Sequence, residues 1–410
     1  MKLSLASEKA FSSMAEANPA PDSERALRSV IHEYENVKPG DLYPYQPIRF
    51  IGAHLDDLLA FCVTQEVSDI KFYTHREALV KVHGQTYPVT DRVLTDAEVA
   101  DFAVKLYGNN SAITLLSSGK DIDVQYEVKA NRHTRLRFRV SITSMQVRGE
   151  HGIRITLRSL PFIPPKAEEM GVPTEIIEGF LPSNGLVIVT GPTGSGKSTL
   201  LASVIRHLLE KKNGNLDILE FAAPIEFVYD EIDIDPSSLI AQSEVPRDIR
   251  SFALAVRNAL RNNPDVISIG EARDTETLTA VIEAALTGHI VYSTLHTNSV
   301  AATIKRITIG ASESETISFT DVIESLRLVV SQRLEKNPKG GRTALREYKV
   351  FTQEERDLLM NSDSAEVASL VQTMVDAAGV SFVASAKAAF EAGLIYERDY
   401  NKIKQESRAS

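Results

Sequence analysis

The chain has 410 residues, 43% hydrophobic and 24% charged, the proportions of a globular protein of two or three domains rather than a disordered or fibrous one. Its 45 Lys+Arg against 55 Asp+Glu give a formal net charge of −10, a poor basis for general nucleic-acid binding, in which cations neutralise phosphates. The single cysteine, Cys62, excludes an internal disulfide and a cysteine-based zinc site, suits a reducing cytosol, and reads as a small buried apolar residue.

Met1 to Glu24 is rich in Ala, Ser, Pro and charge, with no basic segment leading into an apolar run, so it is not read as a secretory signal. No stretch approaches the ~20 apolar residues that span a bilayer, so any membrane role is expected to run through partners. Residues 1–45 read as a flexible extension carrying a short helix near Arg25–Glu35, which Pro39-Gly40 and Pro44 break. An α+β domain is expected over 46–160. Leu55–Val67 has helical spacing, Ile70–Tyr73 alternates as a strand, and Ala78–Val82 with Gly84 makes its hairpin partner. Thr95–Tyr107 is a helix whose Thr95 and Glu98 have capping-box spacing. Strands are predicted at Asp121–Val128, Thr134–Thr143 and Ile153–Leu160, and Pro161, Pro164 and Pro165 mark a linker over 161–170.

Beyond the linker, over 171–410, short β-branched runs at Leu186–Thr190, Leu216–Phe221, Val266–Ile269 and Ile290–Thr294 alternate with helical stretches, the pattern of a mostly parallel α/β sheet. Ser364–Lys402 is Ala-rich and reads as a helical cap.

One motif decides the class. Gly191-Pro192-Thr193-Gly194-Ser195-Gly196-Lys197-Ser198-Thr199 satisfies G-x-x-x-x-G-K-[ST], with a strand before it and helical spacing over Thr199–Leu209 after it. Glycines let successive backbone N–H groups converge on phosphate oxygens, Lys197 brings a point charge, and the Ser198 hydroxyl suits Mg²⁺. Downstream, Val266–Ile269 ends in Gly270-Glu271 beside Arg273-Asp274, an apolar strand delivering a carboxylate for Mg²⁺ or the attacking water. His289 and His296 flank the strand Ile290–Thr294 and are expected to polarise or sense the γ-phosphate; no third ligand makes them a zinc pair.

These segments together resemble the type II/type IV secretion ATPases, nearest the pilus-retraction PilT branch and the DotB-like ATPases of Dot/Icm and IncI-type conjugation systems. The resemblance lies in the phosphate loop, in Pro224–Phe227 (similar to the family's Asp box), in Gly270–Asp274 (its Walker B) and in Thr287–Asn298 (its His box). Ser68–Ile70 with Val82–Gly84 resembles the start of its PAS-like N-terminal domain, and Ala389–Ile395 its C-terminal helices. It implies a PAS-like domain joined to a RecA-like domain, a homohexamer, ATP and Mg²⁺ between the domains, and inner-membrane secretion or conjugation components as partners.

It also implies that Glu271 or Glu226 orients water, that Arg273 offsets developing charge, and that Arg137, Arg139 and Arg148 approach the nucleotide. The absence of a tetracysteine element favours the retraction and DotB-like branches. Pro224–Glu231 and Ser243–Arg247 lie nearer the DotB-like pattern, which points to secretion or conjugation rather than pilus retraction. One departure stands out. Ala222-Ala223 replaces the family's acidic pair, which leaves room for an ATP-binding scaffold with slow hydrolysis. A DNA translocase shares the core but is opposed by the acidic charge.

Overall fold

The computed structural model describes Tyr34 and residues 37–409, leaving out 66, 130–134, 161 and 314–315. The helix expected near Arg25–Glu35 lies outside the described residues. The described chain forms two compact units: the residues up to Ile163 together with Glu226–Val228, and Pro164–Ile225 together with the chain from Tyr229 onward.

The N-terminal unit holds α1 (Gly52–Val63), β1 (Asp69–Tyr73), β2 (Leu79–Val82), β3 (Gln85–Pro88), α2 (Asp96–Tyr107), α3 (Ser111–Ser117), β4 (Ile122–Lys129), β5 (Arg135–Val147) and β6 (Glu150–Leu160). Its six strands run antiparallel in the order β3-β2-β1-β6-β5-β4. Period-two alternation explains the layering: Leu136, Phe138, Val140 and Ile142 of β5 all face the core. The expected capping box is present, with Glu98 N donating to Thr95 Oγ1 and Thr95 N to the Glu98 carboxylate. Glu98 does more than cap. Its carboxylate also accepts from Phe50 N at 2.6 Å and Arg92 Nη2 at 2.7 Å. Burial alone would raise its pKa, but these donors outweigh it and hold the group at about 2.

β5 and β6 run longer than predicted because a two-residue turn joins them, with Arg148 at φ 52° and Gly149 at φ 83°. Two consecutive positive φ values match the twist of a tight hairpin, so pairing continues to Val147 and Glu150.

The second unit comprises α4 (Thr174–Gly179), β7 (Gly185–Thr190), α5 (Lys197–Glu210), β8 (Asp217–Ala222), β9 (Leu239–Glu244), α6 (Phe252–Ala259), β10 (Val266–Ile269), α7 (Thr275–Leu286), β11 (Ile290–Leu295), α8 (Val300–Ser312), α9 (Phe319–Ser325), β12 (Leu326–Lys336), β13 (Arg342–Val350), α10 (Gln353–Met360), α11 (Val367–Ala377), α12 (Phe382–Glu391) and α13 (Glu397–Ala409). Its strand order is β13-β12-β7-β11-β10-β8-β9, parallel throughout except for β13. Every residue of β7, β10 and β11 is buried, as expected for central strands covered on both faces. β9, β12 and β13 were not expected from the sequence. β9 lies at a sheet edge with three apolar residues followed by three polar ones, and β12–β13 is a hairpin whose first strand joins the parallel sheet beside β7.

Two further expectations are corrected. From Pro164 onward the predicted linker is bonded into the second unit: Arg206 Nη1 donates to Pro164 O at 2.6 Å, and His207 pairs with Glu168 at 2.7 Å. Val367–Glu391 does meet the length and composition of a membrane-crossing helix. Gly379 at φ 69° breaks it, however, into α11 and α12. Each has about half the required length and buries one stripe: Val367, Val371 and Val375, then Phe382, Ala386 and Ala389.

Candidate nucleotide site

Register places the chemistry. Thr190 of β7 lies opposite Leu295 of β11, and Ile269 of β10 lies opposite Ser293. The loops leaving β7, β10 and β11 therefore emerge together at one sheet edge, the C-terminal edge where α/β folds bind ligands. They carry the phosphate loop, Glu271 and His296 in that order.

Gly191, Gly194 and Gly196 have φ of 146°, 77° and 82°, the left-handed region that favours glycine. A Cβ on Gly191 would fall 2.2 Å from Gln332 O, so no side chain fits there. Gly196 precedes α5, whose N-terminus adds its dipole to the loop amides. Lys197 is buried, and its ammonium donates to Gly191 O at 2.9 Å and Pro192 O at 3.2 Å. Ser198 and the nearby Thr193 are exposed, Thr199 is half-buried, and the buried Ser195 Oγ makes no hydrogen bond.

Lys197 Nζ also lies 3.4 Å from His296 Nδ1, the other ring nitrogen of His296 lies 3.1 Å from Glu271 Oε1, and Arg273 Nε donates to Glu271 Oε2 at 2.7 Å. Three loops from three strands are thus joined by one polar chain: Lys197, His296, Glu271, Arg273. Thr294 Oγ1 donates to Gly270 O at 2.6 Å and Ala272 N to Thr294 O at 3.2 Å, which locks the loop bearing Glu271 to β11. On the other side, Thr297 N donates to Thr190 Oγ1 at 3.0 Å and fastens the His296 loop to β7.

The other predicted residues divide. His289 precedes β11, and its main-chain O accepts from Gly185 N at 2.9 Å. It sits at the amino end of the strand whose carboxyl end carries His296, roughly 20 Å away at the usual rise per residue. The expectation that both histidines share the nucleotide face is corrected. Asp274 caps α7, its carboxylate accepting from Thr277 N at 2.8 Å. Glu226 belongs to the N-terminal unit, where its main-chain O accepts from Arg137 Nη1 at 3.0 Å.

Arg137, 2% exposed, lies with its guanidinium near the Phe162 ring, and Arg139 pairs with Asp123 at 2.7 Å. Arg148 occupies the exposed β5–β6 turn, roughly 35 Å along the strand from Arg137. The three arginines therefore do not converge. Sequence reasoning missed Gln332 and Arg346, which back the phosphate loop from β12 and β13; no motif spacing marks either of them.

Among the described residues no group of three or more His, Cys, Asp or Glu could hold a metal. One exposed hydroxyl, Ser198, and one carboxylate, Glu271, fit Mg²⁺ of the kind held largely by phosphate oxygens and water.

A glycine loop between a parallel strand and a helix, faced by a strand-end glutamate and histidine, defines a RecA-like ATPase domain. The model of the type II/IV secretion system protein family matches residues 120–395. The type IV pilus retraction ATPase PilT of Pseudomonas aeruginosa is 34% identical over 320 residues, covering 78% of this chain and 89% of that protein. The structure of the Legionella pneumophila ATPase DotB matches with a TM-score of 0.83 and 44% identity, over 89% of this chain and 99% of that one. The pilus retraction motor PilT with bound ADP matches at 0.72 and 29% identity, over 85% and 96%. The chain belongs to the type II/type IV secretion ATPase family and is an ATPase of the DotB/PilT kind.

Proposed function

We propose that the chain hydrolyses ATP with Mg²⁺ as a homohexamer and delivers the resulting motion to a type IVB-like secretion or conjugative transfer apparatus. It would work at the cytoplasmic face of the inner membrane, through partners rather than through a span of its own. The observation that carries the enzymatic part is the chain from Lys197 through His296 to Glu271 and Arg273. It sets a phosphate-binding cation, a carboxylate and a second cation in one hydrogen-bonded series.

Phosphoryl transfer asks mainly for positioning and charge. The loop amides and Lys197 bind the β- and γ-phosphates, and to do so Lys197 exchanges its bonds to Gly191 O and Pro192 O for phosphate oxygens. Glu271, oriented by His296, holds the proton of the attacking water. Arg273, three-quarters exposed, offsets charge on the departing phosphate. Ser198 and Glu271 would hold Mg²⁺, which when bound neutralises charge on the phosphate oxygens. The Ala222-Ala223 pair leaves Glu271 without a carboxylate at the end of β8 to share this work, and the nearby Glu220 is engaged by Gln242 Nε2 at 2.6 Å. That favours modest turnover.

The 44% identity to the Legionella pneumophila DotB structure supports the secretion reading, and pilus retraction is the second reading. Phosphate release and sedimentation by the purified chain test the proposal. Mg²⁺-dependent turnover with a mass of six protomers is expected. Absence of Mg²⁺-dependent phosphate release would end the enzymatic reading, and a monomer in every nucleotide state would end the ring.

A further inference from the structure

The motifs account for the open side of the phosphate loop, but its rear is built from two residues that belong to none of them. Gln332 of β12 and Arg346 of β13 are cross-strand partners, 1% and 7% exposed. Gln332 Nε2 donates to Ser195 O at 2.8 Å, and its Oε1 accepts from Arg346 Nε at 2.8 Å. A guanidinium can only donate, so the amide has one orientation: oxygen toward Arg346, nitrogen toward the loop. The backbone of Gln332 also closes on the other end of the loop, its O lying 2.2 Å from where a Gly191 Cβ would stand. Nε2 lies 2.9 Å from the corresponding point at Gly196. One residue thus shapes both ends of the glycine loop.

Arg346 continues the series in the other direction, donating from Nη1 to Gly171 O at 3.0 Å and from Nη2 to Met170 O at 3.2 Å. These acceptors and the Gln332 amide are all neutral. Burial lowers the guanidinium pKa to about 10, which still leaves it charged at neutral pH. The Ser195 carbonyl it polarises through Gln332 belongs to the same peptide group as the Gly196 N–H. A donor that pulls on that oxygen strengthens the N–H as a donor to phosphate, by the cooperativity of hydrogen-bonded chains.

We propose that Gln332 and Arg346 are positioning residues for the nucleotide: a buried cation–amide relay that fixes the loop's shape and raises its affinity for the phosphates of a nucleoside di- or triphosphate. This rests on the reading of the loop as a nucleotide site. Gln332→Glu is the discriminating variant. It keeps an acceptor for Arg346, so the β12–β13 contact survives as an ion pair, but it turns an oxygen toward Ser195 O where a donor is needed. Binding of a fluorescent ATP analogue and steady-state KM and kcat would be measured in the full chain, beside the unfolding midpoint without nucleotide.

For Gln332→Glu we expect nucleotide affinity about 10-fold weaker and KM raised alike, with kcat less affected, because one charge-polarised donor is lost from binding. The midpoint should stay within about 3 °C. Arg346→Lys keeps the charge but not the planar fork, and should weaken binding by an intermediate factor. Affinity within twofold of wild type in both variants would overturn the relay, as would a lower midpoint with unchanged affinity of the folded fraction. Failure of the wild-type chain itself to bind nucleotide would remove the ATPase reading and the relay together. Normal wild-type binding beside unaffected variants would remove the relay alone.

Discussion

Glu98 in the N-terminal unit and Glu271 in the ATPase unit are both well-shielded carboxylates bonded to cationic side chains, yet they are held in opposite ways. Glu98 is 1% exposed and takes donors from the Phe50 and Thr95 backbone as well as from Arg92. Backbone amides cannot be exchanged for a substrate without unfolding the segment, so Glu98 is committed to structure. Glu271 is held by His296 and Arg273, whose side chains are 41% and 75% exposed and reach it from loops at the edge of a parallel sheet. Those partners can rearrange around a ligand while the strands stay in place. The N-terminal unit answers its buried charge locally, at the start of a helix, and the parallel sheet gathers charge at one edge because its strands end there together.

The comparison can be broken most directly at Lys197. Lys197→Ala should lower ATP turnover by about 10²–10³-fold, the usual effect of removing one charged donor from a phosphate or oxyanion site. Its unfolding midpoint should change little. Unreduced phosphate release by this variant would show that the loop-edge chain is not the catalytic one.

Glu98→Gln tests the other side. Loss of a buried, multiply bonded carboxylate should destabilise the N-terminal unit by about 2 kcal/mol without altering the kcat of folded protein. The pH dependence sharpens it. The folded pKa lies below the ordinary 4.5, so the stabilisation is complete above that value and is lost as pH falls toward about 2. Acid unfolding of wild type, followed by circular dichroism, should show this loss, and the Gln variant should lack this part of it.

The smallest expected effect compares two ends of one strand. His296→Ala should reduce turnover about 10-fold, since it removes one orienting hydrogen bond from Glu271. His289→Ala should leave turnover within about twofold, because its ring lies a strand's length from the site. Equal losses in the two variants, measured side by side, would contradict the separation that the register gives them.

Features that depend on local pattern are legible in the amino-acid sequence. The glycines of the phosphate loop, the capping box at Thr95 and Glu98, and the buried runs of β7, β10 and β11 each announce a backbone conformation within a few residues. The C-terminal helices were legible too, as Ala-rich stretches, although not the break at Gly379. Which charged residues meet depends instead on how the strands are ordered and registered. That His296 reaches Glu271 and His289 does not follows from parallel register, and the parting of Arg148 from Arg137 follows from strand length. Gln332 and Arg346, more than 130 residues beyond the loop they support, become its rear wall only once β12 pairs with β7. Side-chain contacts across a sheet depend on strand order, and strand order is settled by burying whole faces at once rather than by any short run of residues.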